Sequence, residues 1–590
     1  MSDEVWVDVA AEAEITPSHP VVLRQGRRRL AVLRNEAGEL WAVDDRCPHE
    51  GYPLAQGQLR GCTLTCAWHN FKFDLRDGRC LKGDESVAVY PVRVVDGRVQ
   101  VDARPPADEG AKARGLQRLA EGMLERRLGQ IARELTRLLD AGMDARMLAL
   151  EAARFDAERA EYGTTHALAV ATDLLPLLPR YPGTRAVLPL MQVFDLVSES
   201  HVRRPLRPVA APIDPGDDPV AAGRRLRALV EQEEGEQAEG LLRGALAKGW
   251  GRAELEPWLF GPCCDHFLSF GHPLIYQGKL FELLEAVGWE HAQVLLPAHL
   301  RGIVDATRED TLPRWQSFVR RLAEHEDALP RWWAAAPRAG TAAELPRSQR
   351  EAWWRALVDG ERDEAFDAIA EALQQGAAPT AIADVIAAAA AERMLRFELA
   401  VERDPTVQEG WLDVSHTLTF AAAVHHAVGR YDDPSVLRLL FQAARFVNNA
   451  RTLDASPAPT GLERGCTPGA EPVTLQALDA AITARDPEAA VALASGYLAA
   501  HGPDEALRHA AEDLPLRDLY TRPIVVAHAI KVARVAFEVA ARLQHTAWAE
   551  LPILALVRFG ASPHRERAVG QLAHEAERLV VEGKVPHTRT

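Results

Sequence analysis

The chain has 590 residues and a formal net charge of −16, so it is too long for a single hydrophobic core and poorly suited to nucleic acid or an anionic membrane. Its seven cysteines follow no disulfide-framework spacing, which is typical of a reducing compartment. We find neither a secretory segment nor a run of about 20 apolar residues, and therefore predict a cytoplasmic protein that contacts neither membrane nor nucleic acid.

Residues 1–104 are predicted to form a small all-β domain. Alternating apolar residues in "RLAVLRNEAGELWAVDD" and "SVAVYPVRVVDGRVQVD", each broken by a Gly-containing turn, are typical of β-hairpins. Between them lie two Cys-His pairs, Cys47-Pro-His49 and Cys66-Ala-Trp-His69. Two thiolates on one iron and two imidazoles on the other hold a Rieske [2Fe-2S] cluster. Zinc is the alternative for these four residues, but the long β context favours the cluster.

The sequences around the two pairs, "CPHEGYPLAQGQL" and "CAWHNFKFDLRDGRC", resemble the ligand loops of the Rieske ferredoxin family over roughly residues 4–103. The resemblance implies that Cys47 and Cys66 bind one iron of the cluster and that His49 and His69 bind the other. Respiratory members of the family carry an extra disulfide between these loops. The corresponding positions here are Tyr52 and Trp68, so the domain is similar to the lower-potential ferredoxin and oxygenase type.

The composition changes after a linker predicted over residues 105–118, which is rich in proline, glycine and charge. The chain then becomes rich in Ala, Leu, Arg and Glu, with apolar residues at helical spacing. A further Pro/Gly-rich break divides this body into halves at 119–336 and 337–590. We therefore predict a multidomain fold, in which a small all-β domain precedes a large all-α domain with an internal A-B-A′-B′ duplication.

Two pairs of similar segments in the amino-acid sequence indicate the duplication. "THALAVATDLLPLLPRYPGTRAVLPLMQ" from Thr165 aligns without a gap with "SHTLTFAAAVHHAVGRYDDPSVLRLLFQ" from Ser415, and a second pair of segments begins at Gly271 and Ala527. Each unit carries one histidine near the start of an apolar helix: His166, His272, His416 and His528. Their apolar neighbours direct the imidazoles inward, and helical bundles build metal sites from such side chains. The alternative is four buried histidines bonded to backbone carbonyls.

Three segments, "FLSFGHPLIYQGKLFELL", "WLDVSHTLTFAAAVHHAV" and "RPIVVAHAIKVARVAFEVA", are similar to helices of questin oxidase-like proteins over about residues 120–560. The resemblance implies oxidative ring opening of polyketide-derived quinones. It also implies a mononuclear non-haem iron bound by the four histidines and a carboxylated lysine. Lys531, three residues after His528, and Lys279, seven after His272, are the candidates, because each shares its histidine's helical face. A lysine that extends to solvent is the alternative for either residue.

Other metal sites fit the sequence less well. No Asp-x-x-His-x(4)-His run of the familiar Rieske oxygenases is present, and no histidine follows a glutamate by three residues, as diiron bundles require. Haem with paired histidine ligands stays an alternative, since His201, His425 and His426 have no other assignment.

A Rieske centre carries one electron at a time, so we expect its acceptor in the attached body. The first hypothesis is an oxidoreductase, a non-haem iron monooxygenase or dioxygenase that oxidises an apolar aromatic or quinone polyketide-type substrate with O2. Its electrons would come from an NAD(P)H-dependent reductase or a ferredoxin. Tyr181 and Tyr431, matched in the repeats, are candidate catalytic residues that line the pocket, with packing as their alternative role. The second hypothesis is a Rieske ferredoxin-type electron carrier whose helical scaffold docks a partner oxidoreductase; a homo-oligomer is left open.

Overall fold

The computed structural model describes residues 6–104 without 27 and 84, then 110–337, 346–404, 407–456 and 473–565, with 573, 576–578 and 581. The chain divides into two compact units, Met1–Arg114 and Gly115–Thr590. The predicted fold class, a small all-β domain followed by a large helical region, is confirmed. The first helix begins at Ala111, inside the segment predicted as linker, of which residues 105–109 lie outside the described residues. The domain boundaries themselves stay predictions.

The described part of the first unit contains eleven strands: β1 (Trp6–Ala11), β2 (Val21–Gln25), β3 (Arg28–Arg34), β4 (Leu40–Asp44), β5 (Gln58–Arg60), β6 (Thr63–Thr65), β7 (Lys72–Asp74), β8 (Cys80–Lys82), β9 (Val89–Tyr90), β10 (Val92–Val95) and β11 (Arg98–Asp102). They form three antiparallel sheets in the orders β1-β11-β10, β2-β3-β4-β9 and β5-β6-β7-β8.

Turn chemistry explains the hairpins of this unit. Asp96 and Gly97 join β10 to β11 with φ values of 50° and 73°. Two successive positive φ angles make the tight turn that matches the twist of paired strands, and Asp-Gly is a preferred sequence for it. A buried apolar cluster that includes Leu64 and Phe73 lies under the loops that follow β4 and β6 and also contains Cys47 and Cys66.

The described part of the helical region contains twenty-two α-helices: α1 (Ala111–Leu124), α2 (Leu128–Asp140), α3 (Ala145–Ala157), α4 (His166–Leu174), α5 (Val187–Ser200), α6 (Pro219–Glu231), α7 (Gly235–Ala247), α8 (Arg252–Asp265), α9 (His272–Val287), α10 (Ala292–Val304), α11 (Gln316–His325), α12 (Leu329–Ala335), α13 (Arg347–Val358), α14 (Arg362–Gln374), α15 (Pro379–Arg396), α16 (Trp411–Arg430), α17 (Leu437–Asn449), α18 (Leu475–Thr483), α19 (Pro487–His501), α20 (Glu505–Asp513), α21 (Pro523–Arg542) and α22 (Leu551–Ala561). None of these helices is both long enough and apolar enough to cross a bilayer.

Four of the helices form a closed ring in which each packs against two others: α4 on α9, α9 on α16, α16 on α21, and α21 on α4. Residues typical of helix N-termini lie at the start of each of these helices. Thr165 caps α4 by accepting a hydrogen bond from the Ala167 amide, and Asp413 returns its carboxylate to the Gly410 amide at the start of α16. Gly271 precedes α9 in a left-handed conformation, and Pro523 is the first residue of α21. The ring brings the predicted histidine helices together.

Candidate functional site

The two predicted ligand loops of the first unit have the same backbone closure. The Cys47 amide donates to the Tyr52 carbonyl (2.9 Å), and the Cys66 amide donates to the Phe71 carbonyl (2.8 Å). Each loop therefore turns back five residues after its cysteine and presents the following histidine. Burial and the neighbouring Cys66 thiol raise the pKa of Cys47 to about 11, which a bound cation would reverse.

His49 and His69 meet at the open end of these loops. Their Nδ1 atoms lie 3.1 Å apart, and the face of His49 stacks on Phe71. The outer Nε2 atoms of both rings lie 3.8–3.9 Å from the Glu50 carboxylate. Both cysteines are 2% exposed, whereas the two imidazoles are partly exposed. The structure thus pairs the two cysteines, whose sulfurs are buried, and separately pairs the two histidines, whose rings are partly exposed.

An aromatic contact joins Tyr52 and Trp68, the two positions at which the resemblance implies a disulfide in respiratory Rieske proteins. The Tyr52 and Trp68 rings are 5.1 Å apart in an edge-to-face arrangement and join the two ligand loops. Trp68 is nevertheless 62% exposed.

In the second unit, the four predicted histidines converge inside the ring of α4, α9, α16 and α21. The Nε2 atoms of His166 and His272 lie 3.2 Å apart, and those of His416 and His528 lie 3.1 Å apart. Ligand nitrogens of His166, His416 and His528 all lie within 4.8 Å of one another. His166 and His272 are the first residues of their helices, whereas His416 and His528 lie in the second turn.

Backbone carbonyls orient two of these rings. His272 Nδ1 lies 2.7 Å from the Ser269 carbonyl, and His528 Nδ1 lies 2.7 Å from the Ile524 carbonyl. A proton on Nδ1 leaves Nε2 with its lone pair directed at the centre, which is the arrangement that metal-binding histidines share. The prediction of carbonyl-bonded histidines and the prediction of a metal site are therefore compatible for these two residues.

The electrostatics of the centre keep the imidazoles neutral. Burial, and then the charge of Lys531, lowers the pKa of His272 to about 3. Burial lowers the pKa of His166, His416 and His528 well below the ordinary histidine range, with Lys531 and the neighbouring imidazoles adding to the effect. Neutral imidazoles at pH 7 are the form that binds a metal.

Lys531 lies near the four imidazoles, because its charge contributes to the lowered pKa of each of them. It is 2% exposed, its Nζ has no hydrogen-bond partner, and burial lowers its pKa to about 7 despite the attraction of Asp173. An unpaired buried amine is costly unless something uses it.

Lys279 has a different environment. Its Nζ lies 2.6 Å from the Asp173 carboxylate and 3.5 Å from Glu282. Burial alone would lower the pKa of Lys279, but these carboxylates outweigh it and the pKa is raised. Of the two lysine candidates, Lys531 is therefore the one without a competing partner.

The residues of this centre fit a metal ion. Imidazole nitrogens bound about 2.1 Å from one ion stand about 3.0–3.4 Å apart, depending on the angle between them. The two observed Nε2 separations fall in this range. Four neutral imidazoles and one amine provide no anionic ligand as they stand, so a carboxylated lysine would supply the missing charge.

A cavity of about 480 Å³ lies beside the centre, between α9, α16 and α21. Lys531 lines it one helical turn after His528, and Thr419 lines it one turn after His416. Small and apolar side chains form one part of its wall and ion-paired side chains the other. The cavity size falls within the range of small-molecule sites.

The two predicted tyrosines lie apart. Tyr431 lines the cavity, stacks on Phe260, accepts a hydrogen bond from Gln277 and donates one to Glu256. Tyr181 donates to Asp513 instead, and both burial and that carboxylate raise its pKa to about 12. Tyr181 is not among the described residues that line the cavity. Only Tyr431 is therefore placed where a bound molecule would reach it.

The three histidines named as alternative haem ligands lie in different surroundings. His426 lines the cavity, and His425 Nε2 lies 3.6 Å from Asp384. His201 is buried, with Nε2 2.7 Å from the Asp156 carboxylate.

Two buried carboxylates that the sequence did not single out hold the histidine helices in place. Asp156 accepts hydrogen bonds from the amide and hydroxyl of Thr165, the residue before His166. Glu309 accepts one from the Phe270 amide, two residues before His272. The contacts span nine residues for Asp156 and 39 for Glu309, and each crosses a break between helices, so helical periodicity does not mark either carboxylate as a support of the site.

Comparison with known proteins places the first unit. The Rieske [2Fe-2S] domain model matches residues 5–93. The chain is 34% identical over 99 residues to the anthranilate 1,2-dioxygenase ferredoxin subunit of Burkholderia cepacia, which covers 16% of this chain and 91% of that protein. It is 41% identical over 118 residues to the 4beta-methylsterol monooxygenase of Methylococcus capsulatus, which covers 18% of this chain and 32% of that protein.

The likeness to the monooxygenase thus spans about a third of that protein's length. A solved complex of the reduced oxygenase and oxidised ferredoxin of carbazole 1,9a-dioxygenase is 25% identical over 18% of this chain and 100% of the matched chain, with a TM-score of 0.17. The family match over residues 5–93 and the two related proteins support an oxidoreductase role with a [2Fe-2S] cluster.

Proposed function

We propose, because the chain belongs to the Rieske [2Fe-2S] family through residues 5–93, that it is an oxygenase fed with electrons by its own Rieske domain. Cys47, Cys66, His49 and His69 would bind the cluster. A mononuclear non-haem iron would be bound by His166, His272, His416 and His528. The observation that carries the proposal is the convergence of four neutral imidazoles with one unpaired buried amine.

Each protein group has a role in this proposal. The Nδ1 contacts of His272 and His528 hold their Nε2 lone pairs toward the centre. The Lys531 amine would add to CO2, forming an N–C bond and releasing one proton, and the resulting carbamate offers an anionic oxygen ligand. The bound iron would supply redox chemistry with dioxygen. The cavity would orient the substrate and exclude water.

We propose an apolar aromatic or quinone substrate of the polyketide type, with electrons from an NAD(P)H-dependent reductase or a ferredoxin. The fused electron relay favours monooxygenase chemistry, since insertion of both oxygen atoms needs no net external electrons. Tyr431 would contact the substrate. We place the protein in the cytoplasm on its cysteine usage.

Iron analysis of the purified full chain tests the proposal. The oxygenase is expected to contain about three irons per chain, two in the cluster and one at the histidines. His528→Ala should lower this to about two while the Rieske absorption and electron paramagnetic resonance signals remain. The matched control is His299→Ala, which removes another buried histidine, on α10, outside the centre. Two irons in the wild type, or three in His528→Ala, would contradict the proposal.

A second candidate function rests on the likeness to a ferredoxin subunit over 91% of its length. In this reading the protein is an electron carrier whose helical region binds a partner oxidoreductase. It predicts two irons per chain and the same iron content in wild type and His528→Ala.

A further inference from the structure

A second, smaller cavity of about 70 Å³ lies beside the starts of α9 and α16. Phe270 and Asp413 line it, two residues before His272 and three before His416. The 480 Å³ cavity is lined instead by residues that follow these histidines in the same helices, such as Thr419. The two cavities therefore lie on opposite sides of the histidines along α9 and α16. We call the smaller one the polar chamber.

The wall of the polar chamber carries buried polar atoms that have no hydrogen-bond partner among the described residues. Three are donors and two are acceptors: Arg314 Nε, Trp315 Nε1, Arg445 Nε, Glu409 Oε2 and Asn449 Oδ1. Buried polar groups are normally satisfied by protein or by ordered water. A chamber of this size has room for a few water molecules, and water both donates and accepts. The chamber is therefore expected to hold ordered water.

The polar chamber extends from solvent toward the histidine centre. Arg362 is exposed and belongs to its outer wall, whereas Trp315 is 1% exposed. The inner wall includes Phe270, whose ring centroid lies 6.1 Å from that of His416 and 6.4 Å from that of His272. The Phe270 ring therefore stands between the chamber and two of the four imidazoles.

Phe270 is held in an unusual backbone conformation by a carboxylate of the same chamber. Its φ of 57° is left-handed, a region that a bulky residue seldom adopts unless its surroundings enforce it. Glu309 lines the chamber, and its Oε1 accepts a hydrogen bond of 2.7 Å from the Phe270 amide. Glu309 thus contacts the one residue that separates the chamber from these imidazoles.

Two carboxyl groups of the chamber hold and release a proton near neutral pH. Burial raises the pKa of Glu309 to about 7, although the Phe270 amide and Arg314, 3.8 Å away, oppose the rise. Asp413, at the start of α16, and Asp310, between α10 and α11, add to it. Burial also raises the pKa of Asp413 to about 6. The other charged side chains that line the chamber are Arg362, Glu409 and Arg445.

We propose that the polar chamber is a water-filled inlet that supplies protons to the histidine centre, with Glu309 as the proton carrier and Phe270 as the barrier. Movement of the Phe270 ring would connect the water of the chamber with the centre. This inference rests on the proposed oxygenase function. Insertion of one atom of O2 into a C–H bond releases the other atom as water, and it consumes two electrons and two protons. The Rieske domain would supply the electrons, and the inlet would supply the protons without opening the substrate cavity to solvent.

Infrared titration of the metal-free full chain tests the proton carrier without turnover. The carbonyl band of a protonated, buried carboxyl group should appear in the wild type as the pH falls from about 8 to about 6, and Glu309→Gln should lose one group's share of it. Glutamine keeps an oxygen that accepts from the Phe270 amide, so the start of α9 is preserved. The matched control is Glu239→Gln on α7, outside the chamber. Arg207 and Arg243 lower the pKa of Glu239 despite its burial, so this variant should leave the band unchanged.

Reoxidation of the reduced, iron-loaded full chain by O2 tests proton delivery. Stopped-flow absorption of the Rieske cluster reports the electrons that leave it, and reduction of O2 consumes protons even without an organic substrate. The wild-type rate should rise as the pH falls from about 8 to about 6. Glu309→Gln should be about tenfold slower or more at pH 7 and lose this pH dependence, whereas Glu239→Gln should match the wild type.

Asn449→Leu tests the water of the chamber by a change that leaves Glu309 in place. Asn449 presents one of the unpartnered acceptors, and a leucine there would put an apolar side chain where water is expected. Because protons cross the chamber through water, this variant should also slow reoxidation about tenfold.

Three results would overturn the inlet: an infrared band that is unchanged in Glu309→Gln, a reoxidation rate and pH dependence in Glu309→Gln equal to those of the wild type, or an unchanged rate in Asn449→Leu. The infrared titration requires neither iron nor turnover. A failed iron count with the expected infrared change would therefore count against the oxygenase, and a correct iron count without that change would count against the inlet.

Discussion

Gly271→Ala is expected to damage both stability and the histidine centre. Three successive residues, Ser269, Phe270 and Gly271, have φ values of 41°, 57° and 82° immediately before His272. An alanine at Gly271 would adopt a left-handed conformation, at a cost of about 1–2 kcal/mol. Its Cβ would also overlap the ring of Phe420, which is 1% exposed, and such overpacking costs about 1–3 kcal/mol. The expected loss of unfolding free energy is about 2–5 kcal/mol.

Gly376→Ala separates the two causes. Gly376 follows α14 with φ 77°, but an added methyl there meets no atom within 4 Å. It should cost only the conformational part, about 1–2 kcal/mol. Urea unfolding followed by circular dichroism at 222 nm measures both variants, and iron content should fall in Gly271→Ala alone. Equal losses of stability in the two variants, or full iron content in Gly271→Ala, would refute the reasoning.

Three further changes test the supports and the buried groups. Burial lowers the pKa of His299 to about 3, so below pH 6.5 the unfolded chain binds a proton that the folded chain does not. His299→Leu should therefore lose about 2 kcal/mol less stability than the wild type between pH 7 and pH 5, measured by urea unfolding. Asp156→Asn removes the charge that holds Thr165 and should cost about 1–3 kcal/mol and lower iron content by metal analysis. Lys531→Met removes an unpaired buried amine, so the metal-free variant should unfold at a higher urea concentration than the metal-free wild type. It should nevertheless bind less iron, because the proposed lysine ligand is lost.

The sequence alone predicts the features that depend on residues close together in the chain. Cys47 and His49, like Cys66 and His69, lie within a few residues of each other, so their loop geometry is local and the motif predicts it. The change from period-two to helical spacing predicts the β-to-α transition for the same reason. The inward direction of the four helix-borne histidines follows from their apolar neighbours, and the structure brings those four side chains together.

Tertiary structure decided what depends on residues far apart in the chain. Lys279 and Lys531 look alike in sequence, but Asp173, on α4, pairs with Lys279 and leaves Lys531 without a hydrogen-bond partner. Tyr181 and Tyr431 occupy matching positions in the repeat that the sequence predicts, yet of the two only Tyr431 lines the cavity. An ion pair or a cavity wall between helices forms only when the helices pack at a particular interaxial distance and crossing angle. Local periodicity determines which face of a helix is buried. The packing of the four helices in the ring then determines which side chain from another helix each buried residue contacts.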